Sequence, residues 1–288
     1  MRSPLATLTS VLVACAGLAR ADVFDTAPTN DNASGTTKNE LIHGSDQTHD
    51  LASIPGLPSP TPDVDWYRIS QKPYASYEIV VDTASSAIGP TLALELIGSD
   101  GTTVLASSAP VSTLGFSRSL RWHNGATLTP PTSPIDNQYI RVKSGQCTTG
   151  CTGDDVYRIR VLETTQFGPR FNNVGTLYTY YFLQNSTDYT IQTRVYFWGP
   201  TGTLLCQSPL VDIPPRAVGI FGDDTFYQRW AGASDVPLCA DGGDIEDESG
   251  HITLVSNARY GDLRAKGAAL DPHGVQMEFD TEMPTRPR

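Results

Sequence analysis

The sequence predicts an all-β protein made of two consecutive β-sandwich domains of the jelly-roll or immunoglobulin-like kind. Three observations carry that expectation. From Trp66 onward apolar residues recur at every second position in a series of short runs, which is the period of a half-buried strand. The 25 glycines and 21 prolines break helices and serve tight turns. No stretch shows the apolar period of an amphipathic helix.

The N-terminus, MRSPLATLTSVLVACAGLARA, places one Arg before an apolar run from Leu5 to Leu18 and ends in Ala19-Arg20-Ala21, the small-x-small form of a signal-peptidase site. Residues 1–21 are therefore expected to be a signal peptide, too short for a transmembrane span of about 20 apolar residues. A second reading shares the same residues. Leu12-Val13-Ala14-Cys15 resembles a lipobox, in which cleavage before Cys15 leaves a lipidated anchor. Either route exports the chain, as a secreted, periplasmic or cell-surface protein.

Residues 22–62 are rich in Asn, Asp, Thr, Ser and Pro and form an extended lead-in partly joined to the first domain. The first sandwich is expected over 63–164. There Tyr67 and Ile69 share a strand face, as do Tyr77, Ile79 and Val81. Leu92, Leu94 and Leu96 run into GSDG, a turn that returns the chain through Val104-Leu105 as a hairpin. SLRWH (119–123), QYIRVKS (138–144) and DVYRIRVLE (155–163) complete this set. After a boundary near Thr164–Arg170, the second sandwich is expected over 170–282, with a tail at 283–288. Its strands include the aromatic-rich TLYTYYFLQN (176–185) and DYTIQTRVYFWG (188–199), then HITLVSN (251–257) and GVQMEFD (274–280).

The formal charge of −11 becomes −13 once residues 1–21 leave, because Arg2 and Arg20 go with them and no acid does. So acidic a surface repels phosphate backbones, so nucleic acid is not an expected partner. Besides Cys15, the cysteines are Cys147, Cys151, Cys206 and Cys239, an even number that in an exported chain suggests two disulfides. CTTGC (147–151) reads as a hairpin tip closed by its own bridge. Cys206 with Cys239 would close a loop of about 34 residues, worth roughly 3 to 4 kcal/mol in the chain-entropy model. A zinc site needs tighter ligand spacing than these cysteines have.

Asp65-Trp66-Tyr67-Arg68, YEIVVD, the LELIGSDGTTVLASS hairpin, NQYIRVKS and DVYRIRV resemble, in that order, the bacterial pre-peptidase C-terminal domain. The resemblance covers roughly residues 28–163 and implies a small β-sandwich of the kind appended to exported proteins. It also implies that Asp63 and Asp65 open a strand, where a short carboxylate bonds local amides. Some members of that family bind calcium near the N-terminal segment, which makes Asp31 and Asn32 implied ligands here. The second half resembles an uncharacterised module of exported bacterial proteins, and no activity comes with that likeness.

No G-x-S-x-G or H-E-x-x-H motif occurs, and His43, His49, His123, His251 and His273 lie far apart in sequence. The expectation is a non-catalytic protein, with an unrecognised hydrolase as the competitor. No cofactor is required on this reading. Calcium is the metal best suited to the acidic loops, where Asp241, Asp244 and Asp247 are candidate ligands, although such loops are commonly just solvated. Arg194, Tyr196 and Trp198 share one face of a strand whose other face carries Ile191, Val195 and Phe197. With the aliphatic face inside, the first three, together with Trp230, form a candidate sugar-stacking strip; the alternative is a domain interface. These readings together predict a secreted binding or adhesion protein that recognises an extracellular polysaccharide, a matrix protein or a cell-surface component. The alternative is an accessory or assembly module of a secreted hydrolase system.

Overall fold

The computed structural model describes residues 24–25, 31–52, 63–82, 84, 88–110, 117–123, 135–145, 151, 155–221, 245, 247–271 and 277–287. Among the described residues, eighteen strands form four antiparallel sheets, and the helical structure is one 3-10 turn at Gly89–Thr91. The all-β sandwich class is what the alternating pattern requires: a strand with one apolar face is stable only when that face is covered by a second layer.

The first half supplies β1 (Asp46–Asp50), β2 (Asp65–Gln71), β3 (Ser76–Asp82), β4 (Leu92–Ile97), β5 (Val104–Ser107), β6 (Ala109–Pro110), β7 (Arg118–His123), β8 (Ile135–Ser144) and β9 (Val156–Glu163). They sort into one sheet of order β1-β9-β3-β7-β6 and another of order β2-β8-β4-β5. Tyr67, Leu94, Ile140 and Val142 from the second sheet meet Ile79, Val81, Tyr157 and Ile159 from the first in one core. The GSDG turn joins β4 to β5 as its sequence predicts. Asp100 accepts hydrogen bonds from the N–H groups of Thr102 and Thr103 at 2.9 Å, and Gly101 takes φ +70°, a conformation glycine adopts without steric cost.

The second half supplies β10 (Gln166–Asn172), β11 (Tyr178–Asn185), β12 (Ile191–Trp198), β13 (Leu204–Gln207), β14 (Val211–Ile213), β15 (Val218–Phe221), β16 (Ser249–Ser256), β17 (Leu263–Leu270) and β18 (Met277–Glu282). Their sheets run β10-β16-β12-β13, with β14 also on β12, and β15-β11-β17-β18. Val195, Phe197, Ile252 and Leu254 face Tyr181, Leu183, Leu263 and Ala265 across the core.

Two details depart from the sequence reading. The lead-in contains a strand, β1, paired along its whole length with β9. The second set of strands begins at Gln166 rather than at 170, after only Thr164 and Thr165. Both threonines are buried: the Thr164 N–H donates to the Ser76 carbonyl at 2.8 Å, and the Ser76 N–H donates to Thr165 Oγ1 at 2.9 Å. The junction is therefore pinned to β3.

Candidate functional site

Carboxylates gather at the entrance to β2. A two-residue period places Asp63 and Asp65 on the same side of the entering chain. Residues 31–41 then run beside β2 and add backbone hydrogen bonds to it. The Trp66 N–H donates to the Asp31 carbonyl at 2.7 Å, Arg68 N–H to Asn39 at 2.8 Å, and Leu41 N–H to Arg68 at 3.0 Å. This pairing carries Asp31 against Asp65. Asp25 joins them because the Asp31 N–H donates to the Phe24 carbonyl at 3.1 Å and the Asn32 side-chain amide donates to the Asp25 carbonyl at 3.1 Å.

Asp25, Asp31, Asp63 and Asp65 are all buried, at 7, 0, 2 and 0% exposure. Asp25, Asp63 and Asp65 each offer a carboxylate oxygen within 4.8 Å of the other two, and Asp31, His49 and Asp65 form a second such group around the shared Asp65. His49 Nδ1 stands 3.6 Å from the Asp31 carboxylate, and its ring stacks between Phe24 and Tyr157. The Tyr157 hydroxyl donates to Asp65 and is 2.6 Å from the Tyr67 hydroxyl. Burial, then the Asp65 charge, pushes the Tyr157 phenol well above its ordinary range, so it stays a donor to that carboxylate.

Four carboxylates taken out of water side by side repel one another and lose hydration, a cost of several kcal/mol per ion in general. A hard divalent cation offsets both, and carboxylate oxygens at this spacing suit calcium, whose ligands lie at about 2.3 to 2.6 Å. The residues therefore fit the metal that the family resemblance implies. Of the implied pair, Asp31 lies inside the cluster, and Asn32 is half-buried beside it. Asp25 and His49 carried no assignment from sequence, and Asp63 and Asp65 were read as strand-openers. Asp63 also does that job, since its Oδ1 accepts the Val64 N–H at 2.8 Å. The D-x-D spacing was the available signal, but nothing in the sequence said that residues 31–41 would lie against it.

The other candidates lie elsewhere. Asp247 is exposed in the second half, where it accepts a hydrogen bond from the Gly175 N–H at 3.2 Å. Asp241, Asp244 and Trp230 fall outside the described residues, as do residues 1–21 with Cys15. Cys151 and Cys206 are buried in different cores, so they are not partners of each other. Their expected partners, Cys147 and Cys239, also lie outside the described residues.

The aromatic strip is not a free surface. Ile191, Val195 and Phe197 do face the core, yet the outer face of β12 is covered by the first half. Tyr196 is 0% exposed, and the Tyr74 ring meets Tyr196 and Trp198 at 4.8 and 4.9 Å. Trp198 is half-buried, stacks on His251, and donates its indole N–H to Thr253 at 3.1 Å. Arg194 is half-buried and donates to Gln207 at 3.4 Å. These residues belong to the junction between halves because Tyr74 needs a flat apolar seat, and the alternation of β12 supplies one on the side away from its own core.

The same junction continues in polar contacts. Glu78 accepts the Tyr260 N–H at 2.8 Å, Arg121 lies over the Tyr189 ring at 4.7 Å, and buried Glu163 pairs with Lys72 at 2.9 Å and Arg286 at 3.2 Å.

The opposite sheet of the second half presents a different surface. Phe182 and Gln184 of β11 point away from the core and stand in register with Lys266 and Arg264 of β17 and with Ile220 and Val218 of β15. Gln184, Val218, Arg264 and Lys266 are exposed, and Phe182 and Ile220 are half-exposed.

No protein-family model matches the chain, and no curated protein matches it. Among solved structures, it is similar to the full extracellular region of zebrafish Gpr126/Adgrg6, with 10% identity and a TM-score of 0.23 over 86% of this chain and 42% of that chain. The chain thus spans under half of that neighbour, and a likeness of this size bears on neither fold nor function. Among the described residues, no helix is long and apolar enough to cross a membrane.

Proposed function

We propose that the protein is an exported, non-catalytic binding or adhesion protein that recognises an extracellular polymer or a cell-surface component. The observation that supports this best is the contrast between the two sheets of the second half. One outer face is covered by Tyr74 and its neighbours, whereas the other displays Phe182, Val218, Gln184, Arg264 and Lys266 together. Exposed apolar groups beside cations and amides on a rigid sheet are the chemistry of a recognition surface. The signal-like N-terminus and the resemblance of residues 28–163 to an appended exported domain support the compartment.

In this reading calcium is structural. Asp25, Asp63 and Asp65 would hold it, with Asp31 and His49 grouped around the shared Asp65, and bound there it would neutralise the carboxylates and clamp residues 31–39 to β2. The chain's own residues do the rest: Tyr157 donates to Asp65, and Asn39 donates to Asp31 at 3.4 Å.

Co-sedimentation of the protein with insoluble chitin, cellulose, peptidoglycan and collagen, with calcium and with chelator, tests the proposal. Retention on at least one matrix is expected. Retention on none would shift the reading to an assembly module of a secreted hydrolase system.

A further inference from the structure

Beside the exposed face of β15-β11-β17-β18 lies a groove of about 460 Å³, closed along one side by the C-terminal segment Met283–Thr285. We infer that this groove is the binding site of the protein and that its ligand is an acidic polysaccharide, a polymer carrying uronic-acid carboxylates. The inference rests on the proposed binding function and names the surface and ligand class for it.

The groove has the volume of a small-ligand site, and its walls divide by chemistry. Phe182 and Val218 give an apolar floor suited to the C–H face of a sugar ring. Gln184 stands in register between Val218 and Arg264, so an amide sits between the apolar floor and a cation. Arg264 is exposed and has no ion pair among the described residues. Its planar guanidinium matches a carboxylate through two parallel hydrogen bonds.

Gln166, only 4% exposed, also lines the groove. Its Nε2 donates to the Leu263 carbonyl at 2.6 Å, while its Oε1 receives no hydrogen bond among the described residues. This amide ties the groove wall to the start of β17 and leaves recognition to the exposed Gln184 and Arg264.

Charge decides between neutral and acidic sugars. Arg264 and Lys266 outnumber Glu282 in the groove, giving it one net positive charge on a chain whose formal charge is −11. An anionic polymer is repelled by most of this surface and attracted here, which makes binding both local and salt-sensitive. An acidic peptide would satisfy Arg264 but would leave the apolar floor and the Gln184 amide without the hydroxyl-bearing ring they fit.

Affinity electrophoresis of the full chain through gels containing alginate, dextran or poly-glutamate, at low and high salt, tests the inference. Alginate should retard the protein at low salt and release it at high salt, with dextran and poly-glutamate inert. Arg264→Glu should weaken the alginate interaction about tenfold or more, as loss of a charged partner does. Gln184→Ala, an exposed change that leaves the core intact, should weaken it less.

Retardation by alginate that both variants retain in full would overturn the groove while leaving polymer binding standing. Equal retardation by poly-glutamate would overturn the saccharide, and retardation by dextran alone would overturn the acidic ligand. No retardation in any gel, with retention on an insoluble matrix, would overturn this inference alone. Failure in both assays would overturn the binding function itself.

Discussion

The ring of Tyr74, in the turn between β2 and β3, stands edge-on to the ring of Tyr196 in β12, with centroids 4.8 Å apart and planes at 71°. Tyr74 is 5% exposed and Tyr196 is 0% exposed, so the pair is an apolar contact between the two halves that excludes water. Tyr74 also holds φ +56°, a left-handed conformation that costs a non-glycine residue of order 1 kcal/mol or more.

Replacing Tyr74 by Ala should therefore destabilise the protein by about 3 kcal/mol through lost aromatic burial. Tyr74→Gly should be the milder change, because glycine relaxes the backbone that Ala leaves strained. Chemical denaturation of both variants reads this directly. An ordinary order, with Ala more stable than Gly, would show that the backbone at Tyr74 is not left-handed in solution.

Calcium should raise the melting temperature if the carboxylate cluster at β2 holds it. At a calcium level a hundredfold above Kd, the gain is about 2.7 kcal/mol, or roughly 5 to 10 °C for a chain of this size. Asp65→Asn should abolish the difference between calcium and chelator, since Asp65 belongs to both groups of candidate ligands. Identical melting curves for the unaltered protein in calcium and in chelator would remove the metal from the account.

Alkaline pH should unfold the protein through its buried phenols. Burial, first among the causes, pushes both Tyr77 and Tyr189 up to about 12. A raised phenol pKa means that the unfolded chain loses its proton first. Stability is thus fully present below about pH 10 and declines between 10 and 12. In a spectrophotometric titration these tyrosines should ionise together with the loss of structure. Smooth ionisation near pH 10 with the fold intact would contradict their burial.

The mature protein should contain no free thiol, on the proposal that Cys147 pairs with Cys151 and Cys206 with Cys239. A thiol assay in denaturant, before and after reduction, gives the count. More than a trace before reduction defeats the two-bridge arrangement, and peptide mapping separates it from other pairings.

Much of the architecture was legible because strand alternation is a local property. Ile79 and Val81 had to be buried once Glu78 and Asp82 were to face the other way, and GSDG had to turn because Asp100 and Gly101 carry the turn's hydrogen bonds and backbone conformation. The start of β10 at Gln166 falls inside the boundary expected at Thr164–Arg170, where Thr164 and Thr165 have linker composition. Only their bonds to Ser76 show that the junction is packed.

The sequence by itself determined which side of each strand is apolar, where the chain turns and, through its charge, what the surface repels. Tertiary structure alone decided what covers the other side. Tyr196 and Phe182 both lie on outward faces of aromatic-rich strands, and no local pattern distinguishes them. Tyr196 is buried because the turn carrying Tyr74 reaches it from more than a hundred positions away in the chain, whereas Phe182 stays half-exposed because no described element packs over it. The carboxylates divide in the same way. Asp31 and Asp65 are separated in sequence by a long lead-in and meet only because residues 31–41 pair with β2, a long-range contact that period and composition do not encode.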